Sequence, residues 1–133
     1  MESGIGKTYP GLANKEEVMK YILNSAVITT PGVYTYRLID LEEAKRWLYA
    51  GDWVNTIGYE ETCQALHVLT GLSFSVNRQI IKMIEGDEAL VFRLTCRLPD
   101  ISLKGKLSPE FVLQNCEIGI LKKVKELNGN ERR

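Results

Sequence analysis

The hydrophobic positions of this chain follow two periods, one typical of strands and one typical of helices. Stretches rich in β-branched and aromatic residues predict six strands, over residues 21–30, 33–39, 53–57, 79–85, 88–98 and 118–125. Apolar residues at three-to-four spacing predict helices that begin near Asp40, Tyr59 and Ser108. The order β-β-α-β-α-β-β-α-β predicts an α+β fold, a mixed β-sheet with three helices packed on it in a single compact domain.

Polar residues and glycines mark where each predicted helix begins and ends. Asp40 can accept hydrogen bonds from the first turn, and Glu43 completes the spacing of a capping box. Gly51 and Gly71 occupy the positions where the first two helices should end. Ser108 precedes a proline, an arrangement typical of a helix N-terminus.

Two turns predict how neighbouring strands connect. Pro31-Gly32 separates the first two strands, which would then be joined as a hairpin. Gly86-Asp87 separates the fourth strand from the fifth and predicts the clearest hairpin in the sequence.

The composition is typical of one globular domain. The chain has 133 residues, of which 44% are hydrophobic and 26% charged, so it can bury a sizeable core and is too apolar for a disordered protein. We expect the folded domain over residues 21–127, with a flexible N-terminal arm over residues 1–20 and a frayed tail over residues 128–133.

Charge and cysteine content exclude several classes of function. Seventeen basic residues balance 17 acidic ones, so neither DNA nor long RNA is expected as a partner. No apolar run approaches the ~20 residues that span a bilayer, and the N-terminus lacks a signal peptide's apolar segment. Cys63, Cys96 and Cys116 are widely spaced, which predicts a cytoplasmic protein with neither a disulfide framework nor a metal site. No cofactor is expected.

A basic surface is predicted on the strand 88–98. Side chains alternate across a strand, so Arg93 and Arg97 share one face, roughly 13 Å apart, and Arg78 lies in the turn before the hairpin. Guanidinium groups suit phosphate oxygens, which they can bind in bidentate geometry. The alternative is that these arginines are solvated or pair with the carboxylates of Glu85, Glu88 and Asp100.

The sequence NTIGYEET forms a second candidate site, where a strand gives way to a helix. Gly58 permits close approach to the backbone, and the free N–H groups of the next helix attract anions. Tyr59 could stack on a base or donate a hydrogen bond to a phosphate, but a phenol is a weak acid and a poor proton shuttle near neutral pH. The alternative is an ordinary helix start with a packed tyrosine.

Asn24 and His67 are polar residues in apolar surroundings. Asn24 lies in the segment LNSAV, where it either satisfies backbone groups or faces a ligand. His67 is the one histidine of the chain and lies between Leu66 and Val68. That position favours a structural role over a catalytic one.

Several motifs occur in the order and spacing of a known family. They are ILNSAV, an EEAK helix, IGYEET, VNRQIIKM, GDEALVF and RLPD, and the similarity as a whole covers about residues 21–125. In these motifs the chain resembles the viral anti-CRISPR ring nucleases of archaeal viruses, mobile elements and some bacteria. The resemblance implies a small α+β homodimer, or a higher oligomer, that binds cyclic oligoadenylate, chiefly cyclic tetra-adenylate. Family enzymes cleave this messenger of type III CRISPR systems without a metal.

The resemblance also implies which residues bind the ligand. Asn24, Arg78 and Arg97 match family residues at the ligand site. Thr62 matches a small polar residue at the start of the helix, and Arg93 lies on the same basic face as Arg97.

The candidate catalytic residues depart from the family pattern. Tyr59 occupies the position of the family's catalytic histidine, which follows the glycine of an IGH motif. His67 does not replace it, since two helical turns place it ~11 Å along the axis. Asp100 stands where the family has glutamate, after Arg97. Tyr59, Arg97 and Asp100 are the remaining candidates for catalysis.

These observations predict an anti-defence protein that binds a cyclic oligonucleotide messenger and lowers its free level mainly by sequestration. General acid–base assistance contributes ~10²–10⁴-fold, so a chain without the histidine could bind normally and cleave slowly. One alternative is an active ring nuclease in which Tyr59, or Asp100 with Arg97, replaces the histidine. Another is a protein-interaction module. If the protein is viral, we expect it in the host cytoplasm.

Overall fold

A computed structural model describes residues 18–26, 30–95 and 108–127. Within these ranges the chain forms five strands and three helices. The strands are β1 (Lys20–Leu23), β2 (Gly32–Leu38), β3 (Trp53–Asn55), β4 (Glu88–Leu94) and β5 (Cys116–Glu126). The helices are α1 (Leu41–Tyr49), α2 (Glu60–Thr70) and α3 (Pro109–Gln114).

All of these strands belong to one mixed sheet with the order β2-β5-β4-β1-β3. β1 lies between β3 and β4 and is parallel to both, whereas β5 is antiparallel to β4 and β2. The predicted fold class is thereby confirmed. The carboxyl ends of β1, β3 and β4 lie at the same edge of the sheet, because these three strands run in one direction.

The predicted helix boundaries are confirmed by the capping contacts. Asp40 accepts a hydrogen bond from the Glu43 N–H at 2.9 Å, and Ser108 accepts one from the Phe111 N–H at 3.1 Å. Gly71 ends α2 in the left-handed conformation, with φ of 81°, which glycine adopts without a steric penalty.

The centre of the sheet, at β4, is buried on both faces. The three helices cover one face, where the main core contains Ile22, Leu90 and Phe92 among other residues. A smaller cluster on the other face contains Ala89 and Val91. The alternation predicted for β4 is therefore correct, since successive side chains enter the two clusters in turn.

The predicted hairpin around Gly86-Asp87 is wrong, since residues 79–85 form no strand. β4 pairs instead with β1 and β5. Residues 79–84 run across the second face of the sheet, where Ile81 and Met83 join the smaller apolar cluster. The apolar residues that resembled a strand are accounted for by this packing.

The second predicted hairpin, between the first two strands, is also wrong. β1 is only four residues long and ends at Leu23. Its ladder partners are the parallel strands β3 and β4, whereas β2 lies at the opposite edge beside β5. A local turn signal at Pro31-Gly32 carries no information on these distant partners.

A buried lysine fastens the segment of residues 79–85 to the sheet. Lys123 is only 1% exposed, and its Nζ donates to the Met83 carbonyl at 3.0 Å and to Thr30 Oγ1 at 3.1 Å. The same ammonium pairs with Glu126 at 2.9 Å. Glu126 also accepts a hydrogen bond from the Glu85 N–H at 3.0 Å. We call this arrangement the Lys123 clasp.

The remaining predictions about the chain concern its thiols and its ends. Cys63 and Cys116 are free, and Cys96 lies outside the described residues. Most of the predicted N-terminal arm, up to residue 17, and the predicted tail lie outside them as well. Among the described residues, no helix combines the length and the apolar character needed to cross a membrane.

Candidate ligand-binding site

A cleft of about 240 Å³ opens at the carboxyl ends of β1 and β3. Ligands of open α/β sheets bind preferentially outside the carboxyl ends of parallel strands, so this edge is the expected place for a site. Three segments line the cleft: Leu23, Asn24 and Ser25 after β1; Thr56, Gly58 and Tyr59 between β3 and α2; and Arg78, Gln79, Ile80 and Ile81 beyond α2.

The junction between β3 and α2 forms the floor of the cleft. Thr56 is buried and donates to the Ile22 carbonyl through both its N–H, at 3.0 Å, and its hydroxyl, at 2.8 Å. Tyr59 is the N-cap residue of α2, and its side chain makes no capping hydrogen bond. The partial positive charge of the helix N-terminus therefore lies beside the cleft without a side-chain cap.

The acidic residues of the first turn of α2 do not line this cleft. Glu60 accepts a hydrogen bond from Gln64 at 2.9 Å and lines a different cavity. The carboxylates of this first turn therefore lie outside the lining of the cleft.

Arg78 supplies the fixed positive charge of the cleft. Its Nη2 donates to the Gly58 carbonyl at 3.1 Å, and its Cζ lies 4.8 Å from the centroid of the Tyr59 ring. Among the described residues no carboxylate pairs with Arg78. The guanidinium is thus held by a backbone carbonyl and an aromatic face, both of which leave its charge uncompensated.

Gly58 makes this arrangement sterically feasible. A Cβ at position 58 would lie 2.6 Å from Arg78 Nε and 3.1 Å from both Cβ and Cγ of Arg78. The sequence predicted close approach of a ligand to this glycine, whereas the structure places an arginine side chain of the same chain there.

We expect Gly58→Ala to displace Arg78 from the Tyr59 ring while leaving the fold intact, because the clash falls on an exposed side chain. Affinity for an anionic ligand of the cleft should fall by up to ~10-fold, the lower end of what one hydrogen bond to a charged group contributes. Calorimetric titration and thermal unfolding of Gly58→Ala and wild type would check this. A crystal structure of the variant with Arg78 still on Tyr59 would contradict it.

Of the four other predicted ligand-binding residues, the structure places one in the cleft and two elsewhere. Asn24 lines the cleft beside Tyr59 and Arg78. Thr62 is 6% exposed and buried on the inner side of α2, away from the cleft lining. Arg93 forms an ion pair with Glu117 at 3.0 Å, a partner that the sequence did not suggest. Arg97, with Asp100, lies outside the described residues.

His67 lies away from the cleft. Its Nδ1 is 2.8 Å from the Leu72 carbonyl oxygen, and the residue lines a second cavity of about 270 Å³ together with Cys63. Burial raises the pKa of the Cys63 thiol, which disfavours the thiolate. The described residues contain no cluster of potential metal ligands.

The structure adds cleft residues that the sequence analysis missed. Nothing in the sequence indicates that Thr56 belongs to a site, because a threonine after a strand is common in folded proteins. The sequence predicts a strand at Ile80, yet the residue is 83% exposed at the cleft. The exposure of Ile80 beside the cleft becomes apparent only once the strand is known to be absent.

Comparisons with known proteins agree with this fold. The model of the STIV B116-like family matches residues 20–110, a range that includes every residue lining the cleft. The uncharacterized protein YddF of Bacillus subtilis strain 168 is 38% identical over 80 residues, which cover 59% of this chain and 74% of YddF. B116 of Sulfolobus turreted icosahedral virus is similar in structure, with a TM-score of 0.67 and 23% identity. That match covers 78% of this chain and 98% of B116.

Proposed function

The chain belongs to the STIV B116-like family, and we propose that it binds a cyclic oligonucleotide second messenger in the cleft and lowers its free level mainly by sequestration. The observation that carries the proposal is the uncompensated guanidinium of Arg78, held on the Tyr59 ring beside the N-terminus of α2. This arrangement offers a phosphate a bidentate donor and a favourable helix terminus.

The remaining cleft residues suit the nucleobases of such a ligand. The exposed part of Tyr59 and the exposed Ile80 offer apolar surface to a base. Asn24 and Gln79 contribute amides, which pair well with the edge of adenine. Together with the resemblance to ring nucleases, this favours cyclic tetra-adenylate. A homodimer would present each contact twice, as a ring with rotational symmetry requires.

Sequestration is favoured over cleavage by the chemistry of the cleft lining. None of the described residues that line it is a histidine, a carboxylate or a cysteine. A general acid or base that works near neutral pH is most often drawn from those types. The protein would then act as an anti-defence factor in the cytoplasm by holding the messenger.

The test is to incubate the purified protein with a panel of cyclic oligonucleotides, cyclic tetra-adenylate first. Bound and released nucleotides are then separated by chromatography after the protein is denatured. Intact ring is the expected result. Linear products exceeding one per dimer would support the alternative, a ring nuclease that uses Tyr59 or Arg97 with Asp100. If no member of the panel binds, the proposal is wrong.

Two variants of Tyr59 separate a binding role from a catalytic one. Tyr59→Phe should keep nearly wild-type affinity, because the ring still stacks on a base and on Arg78. Tyr59→Ala should lose affinity by roughly 10-fold or more, since base stacking contributes ~1–3 kcal/mol. Calorimetry with cyclic tetra-adenylate measures both. A Tyr59→Phe protein that has lost cleavage, rather than affinity, would favour the nuclease alternative.

A further inference from the structure

The chain that follows α2 turns back along this helix to its N-terminus. Gly71 ends the helix, and Phe74 then stacks on Trp53 with ring centroids 5.4 Å apart. We call residues 71–78 the return segment. The return segment has no helix or strand of its own, so its contacts with β3 and the residues after it determine where Arg78 lies.

Two asparagines fasten the return segment to the end of β3. Asn77 Nδ2 donates to the Asn55 carbonyl at 2.8 Å, and the Asn77 N–H donates to the Ile57 carbonyl at 2.9 Å. Asn55 Nδ2 donates to the Ser75 carbonyl at 2.7 Å, and Asn55 Oδ1 accepts from the Ile57 N–H at 3.1 Å. We call these four bonds the asparagine clamp. Three of them join the return segment to residues 55–57 and fix the backbone directly ahead of Arg78, and the fourth holds the Asn55 side chain against the Ile57 N–H.

We propose that Asn77 is a positioning residue for ligand binding, which acts with Asn55 to hold the Arg78 guanidinium over Tyr59. This inference rests on the proposed function and extends it to residues outside the cleft lining. Arginine has a long side chain that loses rotamer freedom when it is fixed by a ligand. A backbone that already directs it toward the site reduces this cost and raises affinity.

The first test needs no ligand. In ¹⁵N-labelled protein the Nε–H resonance of Arg78, assigned by its loss in Arg78→Ala, carries the ring-current shift of Tyr59. We expect Asn77→Ala to move this resonance toward the value seen in Tyr59→Leu, with thermal unfolding nearly unchanged. Ser75→Ala is the matched control, because only the backbone carbonyl of Ser75 takes part in the clamp. An Arg78 resonance that does not move in Asn77→Ala overturns the proposal.

The second test is a double-mutant cycle on cyclic tetra-adenylate binding. Asn77→Ala should weaken binding about three- to tenfold in the wild-type background, the range that one neutral hydrogen bond accounts for. In the Arg78→Ala background it should weaken binding less than about twofold, because the group that it positions is gone. Equal losses in the two backgrounds would show that Asn77 does not act through Arg78 and would overturn the proposal.

Failure of the proposed function has a different signature from failure of this inference. If wild-type protein binds no cyclic oligonucleotide, the proposed function is wrong, and the ligand-free resonance of Arg78 alone decides whether Asn77 positions Arg78.

Asn55→Ala provides a second variant that removes two other bonds of the clamp. It should move the Arg78 resonance in the same direction as Asn77→Ala, and an unmoved resonance in both variants contradicts the clamp.

Discussion

Arg78→Ala is expected to weaken binding of cyclic tetra-adenylate about ten- to a hundredfold, since hydrogen bonds to charged groups contribute about 1.5–3 kcal/mol. Arg78 is exposed, forms no ion pair among the described residues and lies on Tyr59. Its removal therefore takes away the fixed charge of the cleft without opening the core. Calorimetric titration gives the change in affinity, and circular dichroism checks that the fold is retained.

The matched control for this variant is Arg46→Ala. Arg46 is an exposed arginine in the last turn of α1, on an element that contributes no residue to the cleft. It carries the same charge, so a ligand attracted only by net charge would respond equally to both substitutions. Equal weakening by the two variants would contradict a site at Arg78. The salt dependence of binding should be smaller for Arg78→Ala than for Arg46→Ala, since one phosphate contact is lost.

The helices of this fold could be predicted from the sequence because their signals are local. The caps at Asp40 and Ser108 are each recognised from a few neighbouring residues, and the structure shows the hydrogen bonds that they predict. Strand pairing depends instead on partners far along the chain. β1 pairs with residues beyond position 50 on both sides, so a turn at Pro31-Gly32 was a poor guide to its neighbours.

Part of the candidate site could also be predicted from the sequence. Asn24, Tyr59 and Arg78 were singled out by residue type, by position after a strand or before a helix, and by the family resemblance, and the structure brings all three to one cleft. The Gly58–Arg78 contact spans 20 positions and depends on the course of the return segment. The packing of Phe74 on Trp53 determines this course, and no sequence motif marks it.

The outer wall of the cleft is a segment without regular structure held at its two ends. Asn77 fastens the chain on one side of Gln79, Ile80 and Ile81, through its bonds to the end of β3. The Lys123 clasp fastens it on the other side, at the Met83 carbonyl. A segment that lies outside the strands of the described sheet keeps its conformation through contacts such as these. The clasp therefore supports both the fold and the shape of the site.

Lys123→Ala should accordingly lower the free energy of unfolding by about 2–4 kcal/mol. The substitution removes a buried aliphatic stem, and cavities of this kind typically cost ~2–5 kcal/mol in a core. It also removes three contacts that the Lys123 ammonium makes, with Met83, Thr30 and Glu126. The contact with the Met83 carbonyl is buried, so its loss leaves an acceptor without this partner. Urea unfolding of wild type and variant measures the difference.

Two companion variants separate the contributions within the clasp. Lys123→Met keeps the apolar stem and should recover roughly half of the loss, whereas Glu126→Gln should cost less than ~1 kcal/mol because Glu126 is half-exposed. A Lys123→Ala protein that is no less stable than Glu126→Gln would contradict the clasp.

The clasp also predicts how the stability difference varies with pH. The hydrogen bond from Lys123 is the main reason that the pKa of Glu126 lies below its ordinary value of 4.5. A lowered carboxyl pKa stabilises the fold above the ordinary value, and this contribution is lost as pH falls through the lowered one. The stability gap between wild type and Lys123→Ala should therefore narrow in acid below about pH 4.5. A gap that stays constant on acidification would show that the ammonium is held by its neutral partners alone.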